Sequence, residues 1–324
     1  MVKVIAAALL VNALLQAAQP VRIIFDTDIG NDIDDALALA MIHALETRGE
    51  AKLLAVTTTK DNRYAGPFID LVDTFYGRPG IPIGTVRDGK TRDDGTYLRP
   101  VVESGFYPHT LADSQKAPDA VAVLRRTLAA EKDHSVVIVQ VGFSTNLARL
   151  LDSRPDTSSM LPGRELVRSK VRFISAMAGH FPTGPAEYNV KTDVEAARKL
   201  FTGSPVPIVF SGYEVGLKIL YPASSIEHDF SYTPHHPIAD AYRAYKPMPY
   251  DRPTWDLTAV LYAVRPKQSF GVSPKGRAEV DDKGVTSFKE DKSGLDQYLT
   301  ATPEQAQHAL AQMIELATRA PGRK

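Results

Sequence analysis

One stretch near the N-terminus constrains the fold more than any other. In Val21–Ala36, VRIIFDTDIGNDIDDA, an apolar run ends in five aspartates within ten positions. Apolar residues then recur at helical spacing as far as Leu45. The pattern predicts a buried strand, a turn around Gly30, and a helix that begins near Asp32 or Asp34. Because ligands of open parallel sheets bind beyond the carboxyl ends of the strands, the aspartates occupy an expected ligand site.

The crowded aspartates need a positive partner. Like charges repel, and carboxylates are costly to desolvate unless something compensates them. A bound cation would do so, and because the chain has no cysteine the candidates are the oxygen-binding ions Ca²⁺ and Mg²⁺. An EF-hand does not explain the pattern, since the sixth position from the first aspartate is Asn31 and the twelfth is Leu37. The simpler alternative is that Asp32, Asp34 and Asp35 only cap a helix.

The remaining sequence alternates strand and helix patterns. Ser135–Val141 is strongly apolar and predicts a buried strand, whereas Ala65–Phe75 and Pro303–Ala317 have helical spacing. We therefore expect an α/β fold, a mostly parallel open sheet with helices on both faces, in a single domain. Residues Arg87–Pro118 lack periodicity, and a segment of that length is more typical of a functional loop than of a linker.

The segment DTDIGNDIDDALAL resembles the N-terminal signature of the nucleoside hydrolases, which are calcium-dependent N-ribohydrolases. Further similar elements follow in the family's order between about Val21 and Ala263: VGFSTNLARL, AEYNVKTDVEAARKLF and PTWDLTAVLYAV. The resemblance implies the fold of that family as a single domain. It also implies hydrolysis of the N-glycosidic bond of ribonucleosides to free base and ribose.

The resemblance implies a Ca²⁺ site built from distant parts of the chain. Its ligands would be the carboxylates of Asp28, Asp35 and Asp256 and the main-chain carbonyl of Thr145. Without the resemblance, Thr145 and Asp256 would be interpreted as ordinary helix caps. A bound cation lowers the pKa of its water and holds that water against the anomeric carbon, and Asp28 would be the general base.

The resemblance also implies a set of substrate contacts: Asp34, Asn62, Glu187, Asn189 and Trp255. Glu187 and Asn189 would lie on one side of an extended segment and hold ribose hydroxyls. The signature loop is longer than is usual in the family because of Asn31-Asp32-Ile33, which leaves open whether Asp32 takes a role of Asp34.

The chain differs from many family members in the residue that would activate the leaving base. Many members have His immediately before the last metal aspartate, and this chain has Trp255, its only Trp. The purine-preferring branch has Trp-Asp there, so the resemblance implies indole stacking on the base and some preference for purine nucleosides. A core Trp is the alternative. Other side chains could contribute a proton, and none is assigned: Tyr97, Tyr107, His109, His180 and His236.

Two other functions remain open from the sequence. A phosphatase of the haloacid dehalogenase type also has Asp-x-Asp after its first strand, although Gly-Thr normally follows, where this chain has Ile29-Gly30-Asn31. A non-catalytic calcium-dependent nucleoside or sugar binder would explain the missing histidines.

The N-terminal segment differs from the rest of the chain. One early lysine precedes the apolar run Val4–Leu15, which is typical of a secretory signal peptide and short for a membrane span. We expect a signal peptide over residues 1–19, a catalytic domain over 20–324, and export to the periplasm or the medium. An extra N-terminal helix is the alternative. The formal net charge of zero does not indicate a nucleic-acid or membrane partner, and a small-molecule nucleoside is expected instead. Family members are often oligomeric, so the resemblance also implies a homo-oligomer.

Overall fold

A computed structural model describes residues 19–266 and 268–322, so residues 1–18 of the predicted signal peptide lie outside the described residues. The strands are β1 (Val21–Thr27), β2 (Ala51–Thr58), β3 (Ile83–Thr85), β4 (Val136–Gln140), β5 (Val171–Met177), β6 (Ile208–Ser211), β7 (Leu220–Tyr221), β8 (Arg252–Pro253), β9 (Gly271–Val272), β10 (Gly276–Val280), β11 (Thr286–Glu290) and β12 (Gln297–Thr300).

The α-helices are α1 (Asp34–Thr47), α2 (Ala65–Phe75), α3 (Leu98–Val102), α4 (Ala120–Ala129), α5 (Thr145–Asp152), α6 (Gly163–Lys170), α7 (Tyr188–Thr192), α8 (Val194–Gly203), α9 (Tyr213–Gly216), α10 (Ala223–His228), α11 (Pro237–Tyr245), α12 (Trp255–Val264) and α13 (Pro303–Ala317). A single turn of 3₁₀-helix spans Ser114–Lys116. None of these described helices is long and apolar enough to span a membrane.

Eight strands form the main sheet in the order β3-β2-β1-β4-β5-β6-β12-β9. All neighbours pair in parallel except β12 and β9, which are antiparallel. The β10–β11 hairpin and the β7–β8 pair lie outside this sheet. The structure therefore confirms the predicted α/β fold.

Strand β1 shows how the sheet is covered on both faces. Ile23 and Phe25 pack into one apolar core with α1, α2, α12 and α13. Ile24, between them, packs into a second core with α4, α5, α6 and α8. Successive side chains of a strand point to opposite faces, so this central strand must be apolar on both.

The segment after β1 has the conformation that its sequence predicts. Gly30 has φ of +113°, a region that glycine enters without steric cost. Helix α1 begins at Asp34, and its residues from Asp34 to Leu45 are all buried. The turn and the buried helix together place the aspartates at the carboxyl edge of the sheet.

The long segment Arg87–Pro118 is more ordered than its composition suggests. It contains α3 and the 3₁₀ turn, and it packs against the aspartate loop through Tyr97. The Tyr97 hydroxyl accepts a hydrogen bond from the Gly30 N–H and donates one to the Asp32 carbonyl, both at 2.7 Å. This segment therefore fixes the shape of the aspartate loop.

Candidate active site

A cavity of about 350 Å³ opens at the carboxyl edge of the sheet, where β1 ends. Six carboxylates line it: Asp28, Asp32, Asp34, Asp35, Glu187 and Asp256. They come from the loop after β1, the start of α1, the start of α7 and the start of α12. The cavity is thus the crevice in which a ligand of this fold class is expected.

Three of these aspartates form a compact cluster. One carboxylate oxygen from each of Asp34, Asp35 and Asp256 lies within 4.8 Å of the other two, and all three residues are buried. The Asp256 backbone N–H also donates to Oδ2 of Asp34 at 3.0 Å. The structure therefore brings Asp256 to the N-terminal aspartates, as the sequence analysis expects.

The electrostatics of this cluster suit a bound cation. Burial, together with repulsion from neighbouring carboxylates, raises the pKa of Asp34, Asp35 and Asp256 well above the usual range. The atoms that would bind the cation are all carboxylate oxygens, the ligands that hard divalent cations prefer. A divalent ion among these groups would relieve their repulsion, so the residues present fit a metal site.

Asp28 is held by a polar chain that sequence reasoning did not anticipate. Asn31 donates from Nδ2 to Oδ2 of Asp28 at 2.7 Å and to Oγ1 of Thr91 at 3.2 Å. The fully buried Lys60 donates from Nζ to Oδ1 of Asn31 at 2.6 Å and lies 3.0 Å from Oδ1 of the exposed Asp93. Burial raises the pKa of Asp28 to about 7, against the lowering effect of the Asn31 hydrogen bond. Because ammonium groups only donate, Lys60 requires Asn31 to present its oxygen, and the Asn31 NH₂ then faces Asp28.

The extra residues of the signature loop are held by an arginine. Arg252 Nε donates to Oδ1 of Asp32 at 2.8 Å, and its Nη2 donates to Oδ2 of the same carboxylate. Asp32 therefore has its own counter-ion, whereas Asp34 is the member that lies against Asp256. A paired arginine 220 positions away in the sequence could not be inferred from local spacing.

Glu187 and Asn189 both line the cavity, although not on an extended segment. Asn189 belongs to α7, and Glu187 caps that helix by accepting N–H groups of Asn189 and Val190 at 2.7 and 3.2 Å. The expectation of an extended segment was wrong because this cap starts a helix at Tyr188. Burial raises the pKa of Glu187 to about 7, while the backbone N–H groups oppose the shift. Asn189 Nδ2 donates to the carbonyls of Val141 and Met177 at 2.7 and 3.1 Å.

One wall of the cavity is aromatic. Trp255 stacks on Tyr213 with ring centroids 5.4 Å apart, and its Nε1 donates to the Tyr213 carbonyl at 2.9 Å. The Arg252 guanidinium lies 5.2 Å from the Trp255 ring centroid. Tyr188, which is half exposed, lines the same cavity. Of these residues only Trp255 was singled out from the sequence.

Two predicted site residues are buried but are not among the described residues that line the cavity. The Thr145 hydroxyl donates to Oδ2 of Asp193 at 2.5 Å. The Asn62 amide donates to the Asp93 carbonyl at 3.1 Å and to Oδ1 of Asp94 at 2.9 Å, which holds the 92–94 loop. Their roles as a carbonyl ligand and a ribose contact remain predictions.

None of the histidines in the described residues lines the cavity. His236 is buried, its Nδ1 accepts the Ile238 N–H at 3.2 Å, and burial lowers its pKa to about 3. Tyr107 is engaged with Asp240 through its hydroxyl. These groups therefore have local partners, and the geometry assigns them no part in the site.

Comparison with known sequences identifies related proteins. A sequence model described as inosine-uridine preferring nucleoside hydrolase matches residues 23–318. The pyrimidine-specific ribonucleoside hydrolase RihA of Salmonella schwarzengrund is 30% identical over 226 residues, which are 63% of this chain and 64% of that protein. The match thus spans slightly less than two thirds of this relative's length.

Solved structures share the fold. A plant nucleoside hydrolase, PpNRh1, superposes with a TM-score of 0.68 and 21% identity, over 92% of this chain and 99% of that one. The purine-preferring ribonucleoside hydrolase of Gardnerella vaginalis gives a TM-score of 0.65 and 18% identity over the same shares. At these identities the similarity shows a common fold.

Proposed function

Because the chain belongs to the inosine-uridine preferring nucleoside hydrolase family, we propose that it hydrolyses the N-glycosidic bond of ribonucleosides to free base and ribose. The observation that carries this proposal is the cluster of Asp34, Asp35 and Asp256 beside Asp28 in one cavity. Family membership argues against the phosphatase alternative, which would require a different arrangement after β1.

We propose that the cavity holds Ca²⁺, with Asp28, Asp35, Asp256 and the Thr145 carbonyl as ligands. The support for this ion is the set of buried oxygen donors and the repulsion among them. When bound, the cation supplies positive charge that acidifies water and holds ribose hydroxyls. Asp34, which lies in the same cluster, is left to contact the ribose.

The proposed role of Asp28 is to accept the proton of the attacking water. Its Oδ2 is held by Asn31, so the direction of the carboxylate is fixed before substrate binds. Without a cation, burial raises the pKa of Asp28 to about 7, and a bound cation would lower that pKa, so the carboxylate would be ionised and able to accept a proton. As the C1′–N bond breaks, positive charge develops on the ribose, and the surrounding carboxylates stabilise it.

Glu187 and Asn189 are proposed to orient the ribose. Both line the cavity and are themselves held by hydrogen bonds to backbone groups, so their positions in the wall are fixed. A rigid polar wall of this kind reduces the entropy lost when the sugar is positioned.

We propose some preference for purine nucleosides, which the aromatic wall of Trp255 and Tyr213 supports. The names of the relatives cover both classes, a pyrimidine-specific enzyme and a purine-preferring one. The proposed purine preference therefore rests on the aromatic cavity wall alone.

We further propose that residues 1–19 are a signal peptide, that 20–324 form the catalytic domain, and that the protein acts outside the cytoplasm. Composition supports this proposal, since an apolar run follows an early lysine. N-terminal sequencing of the protein secreted by an expressing cell would show the cleavage site, and an intact N-terminus would contradict it.

A substrate panel tests the proposed function. The protein is incubated with inosine, adenosine, uridine and p-nitrophenyl phosphate, each with and without chelator, while free base and phosphate are measured. Chelator-sensitive base release, faster for inosine and adenosine than for uridine, is expected. Release of phosphate alone, or calcium-dependent nucleoside binding without turnover, would contradict the proposal.

A further inference from the structure

The proposed reaction leaves one requirement unmet, which is stabilisation of the departing base. When the C1′–N bond breaks, its electron pair stays on the base nitrogen and the base becomes anionic unless a donor faces it. Trp255 replaces the usual His, and no described histidine lines the cavity. Among the described residues that do line it, Arg252 carries the one cationic side chain.

The position of Arg252 is fixed from several directions. It lies in β8, where it pairs with Tyr221 of β7, three residues before α12. Its guanidinium is bidentate on Asp32, and it lies 5.2 Å from the ring centroids of both Tyr245 and Trp255. Because the Asp32 carboxylate and two aromatic rings already hold the guanidinium in place, it loses little further conformational entropy when it makes another hydrogen bond.

The two hydrogen bonds to Asp32 use Nε and Nη2. Nη1 donates no hydrogen bond within the described part of the chain, so its two N–H groups are free beside the aromatic wall. The other cavity amides are already engaged, since Asn31 donates to Asp28 and Asn189 donates to Val141. Nη1 of Arg252 is thus a donor without a partner among the described residues, on a side chain that lines the cavity next to Trp255.

We propose that Arg252 activates the leaving group by donating hydrogen bonds from Nη1 to the departing base. This inference rests on the proposed nucleoside hydrolysis and names the residue that replaces the missing histidine. Arginine does not give up its proton, so its contribution is electrostatic. The bond between the water oxygen and C1′ forms while the C1′–N bond breaks. The proton lost by water passes to Asp28, and the base gains its one proton from solvent.

A neutral base is a better ligand for this arginine than a phosphate group. The charge of Arg252 is already balanced by Asp32, and five more carboxylates line the cavity: Asp28, Asp34, Asp35, Glu187 and Asp256. A phosphate group is anionic when it binds and would be repelled by this set, whereas the ring nitrogens and carbonyl oxygens of a base bind while neutral and gain negative charge only as the C1′–N bond breaks. The arrangement therefore favours nucleosides over nucleotides.

The dependence on the leaving group tests this role directly. We compare Arg252→Gln with the wild-type protein on inosine and on p-nitrophenyl β-D-ribofuranoside, whose leaving group departs as a stable anion without help. The expected loss in kcat on inosine is about 100-fold or more, with a loss below about 5-fold on the aryl riboside. If both substrates lose activity equally, Arg252 only supports Asp32 and the inference fails. If the wild-type protein releases no base at all, the proposed function fails instead.

Chemical rescue separates a missing donor from a damaged fold. Arg252→Ala leaves space for a guanidinium ion. Added guanidinium, at concentrations far below denaturing ones, should raise the activity of this variant on inosine at least about 10-fold. Sodium chloride at the same ionic strength should not. Arg168→Gln is the matched control, because Arg168 is exposed and, among the residues that the structure describes, bonds only to Glu165 within its own helix. Absence of rescue in a variant with wild-type thermal stability would overturn the inference.

Discussion

The backbone N–H of Asp256 donates to Oδ2 of Asp34 at 3.0 Å, across 222 positions of the sequence. The contact joins the first turn of α12 to the first turn of α1. Because it uses a main-chain donor, it fixes the distance between the two helix starts whatever the charge of the Asp256 side chain. The side-chain carboxylate of Asp256 is then free for a ligand in the cavity.

Asp256→Asn tests the role of that carboxylate. The variant keeps the backbone bond to Asp34, so the fold should be retained, while one anionic ligand is lost. We expect calcium affinity to fall at least about 10-fold, as loss of a ligand does, and base release to fall by more than about 100-fold. Calorimetric calcium titration and a base-release assay measure the two effects.

Asp282→Asn is the matched control for that substitution, since the Asp282 side chain is 96% exposed and, in the described part of the chain, pairs only with Arg198. It should bind calcium and release base as the wild type does. Equal loss in the two variants would mean that overall charge, and not the Asp256 position, sets the affinity.

Calcium removal should make stability depend on pH in a definite direction. Burial raises the pKa of Asp28 from 3.8 to about 7, and it raises the pKa of Asp34 and Asp35 further in the same sense. The folded state therefore binds more protons than the unfolded state between these values, so these groups lower stability as pH rises from about 4 to 7. Calcium binds the ionised carboxylates, so bound calcium should offset this loss of folding stability at higher pH.

The measurement is the increase in Tm caused by saturating calcium, at about pH 5.5 and at about pH 8, where competition with protons differs. The increase should be larger at the higher pH. An increase that is independent of pH, or larger at the lower pH, would show that calcium binds elsewhere. Magnesium at the same concentration tests the identity of the ion.

Lys60→Met should destabilise the protein. The fully buried ammonium bonds to Asn31 and pairs with Asp93, and methionine leaves both without this partner. We expect a loss of about 1–3 kcal/mol in the free energy of unfolding by urea, the cost of an unsatisfied buried group. Lys292→Met, at an exposed position, should change it by less than about 0.5 kcal/mol. A neutral or stabilising Lys60→Met would contradict the polar chain from Lys60 to Asp28.

Glu187 should show separate effects on stability and on binding. Glu187→Ala removes the side-chain acceptor of the Asn189 and Val190 N–H groups and should cost about 1 kcal/mol, as lost helix caps do. Glu187→Gln keeps an acceptor oxygen and should cost less. Both variants should raise KM for inosine, because each loses the carboxylate that is proposed to orient the ribose. An unchanged KM in both would restrict Glu187 to its capping role.

Elements in which apolar residues recur at regular spacing could be predicted from the sequence. Helices α2 and α13 have the predicted bounds, because their apolar spacing is regular and buried. Placement of β12 between β6 and β9 could not be predicted, since its four residues join the sheet only through long-range pairing. The amphipathic helix α6 also lacked a clear sequence signal in its polar surroundings.

The candidate site divides in the same way. The aspartates of the N-terminal segment are crowded within ten positions, so charge crowding pointed to them, whereas Asp256 was assigned only through the family resemblance. Asn31, Lys60 and Arg252 act through contacts between segments far apart, and no local pattern marks them. Asn62 shows a further difficulty, because a polar residue at a strand exit can also hold a neighbouring loop, as its bonds to residues 93 and 94 do, and its predicted ribose contact stays a prediction.

Base release from inosine, by protein freed of metal with chelator and then titrated with calcium, tests the proposed calcium-dependent hydrolysis. We expect no release before calcium is added, and a rate that rises to saturation as one ion binds per chain in the cavity of Asp28, Asp35 and Asp256. Full base release in the continued presence of chelator would contradict it.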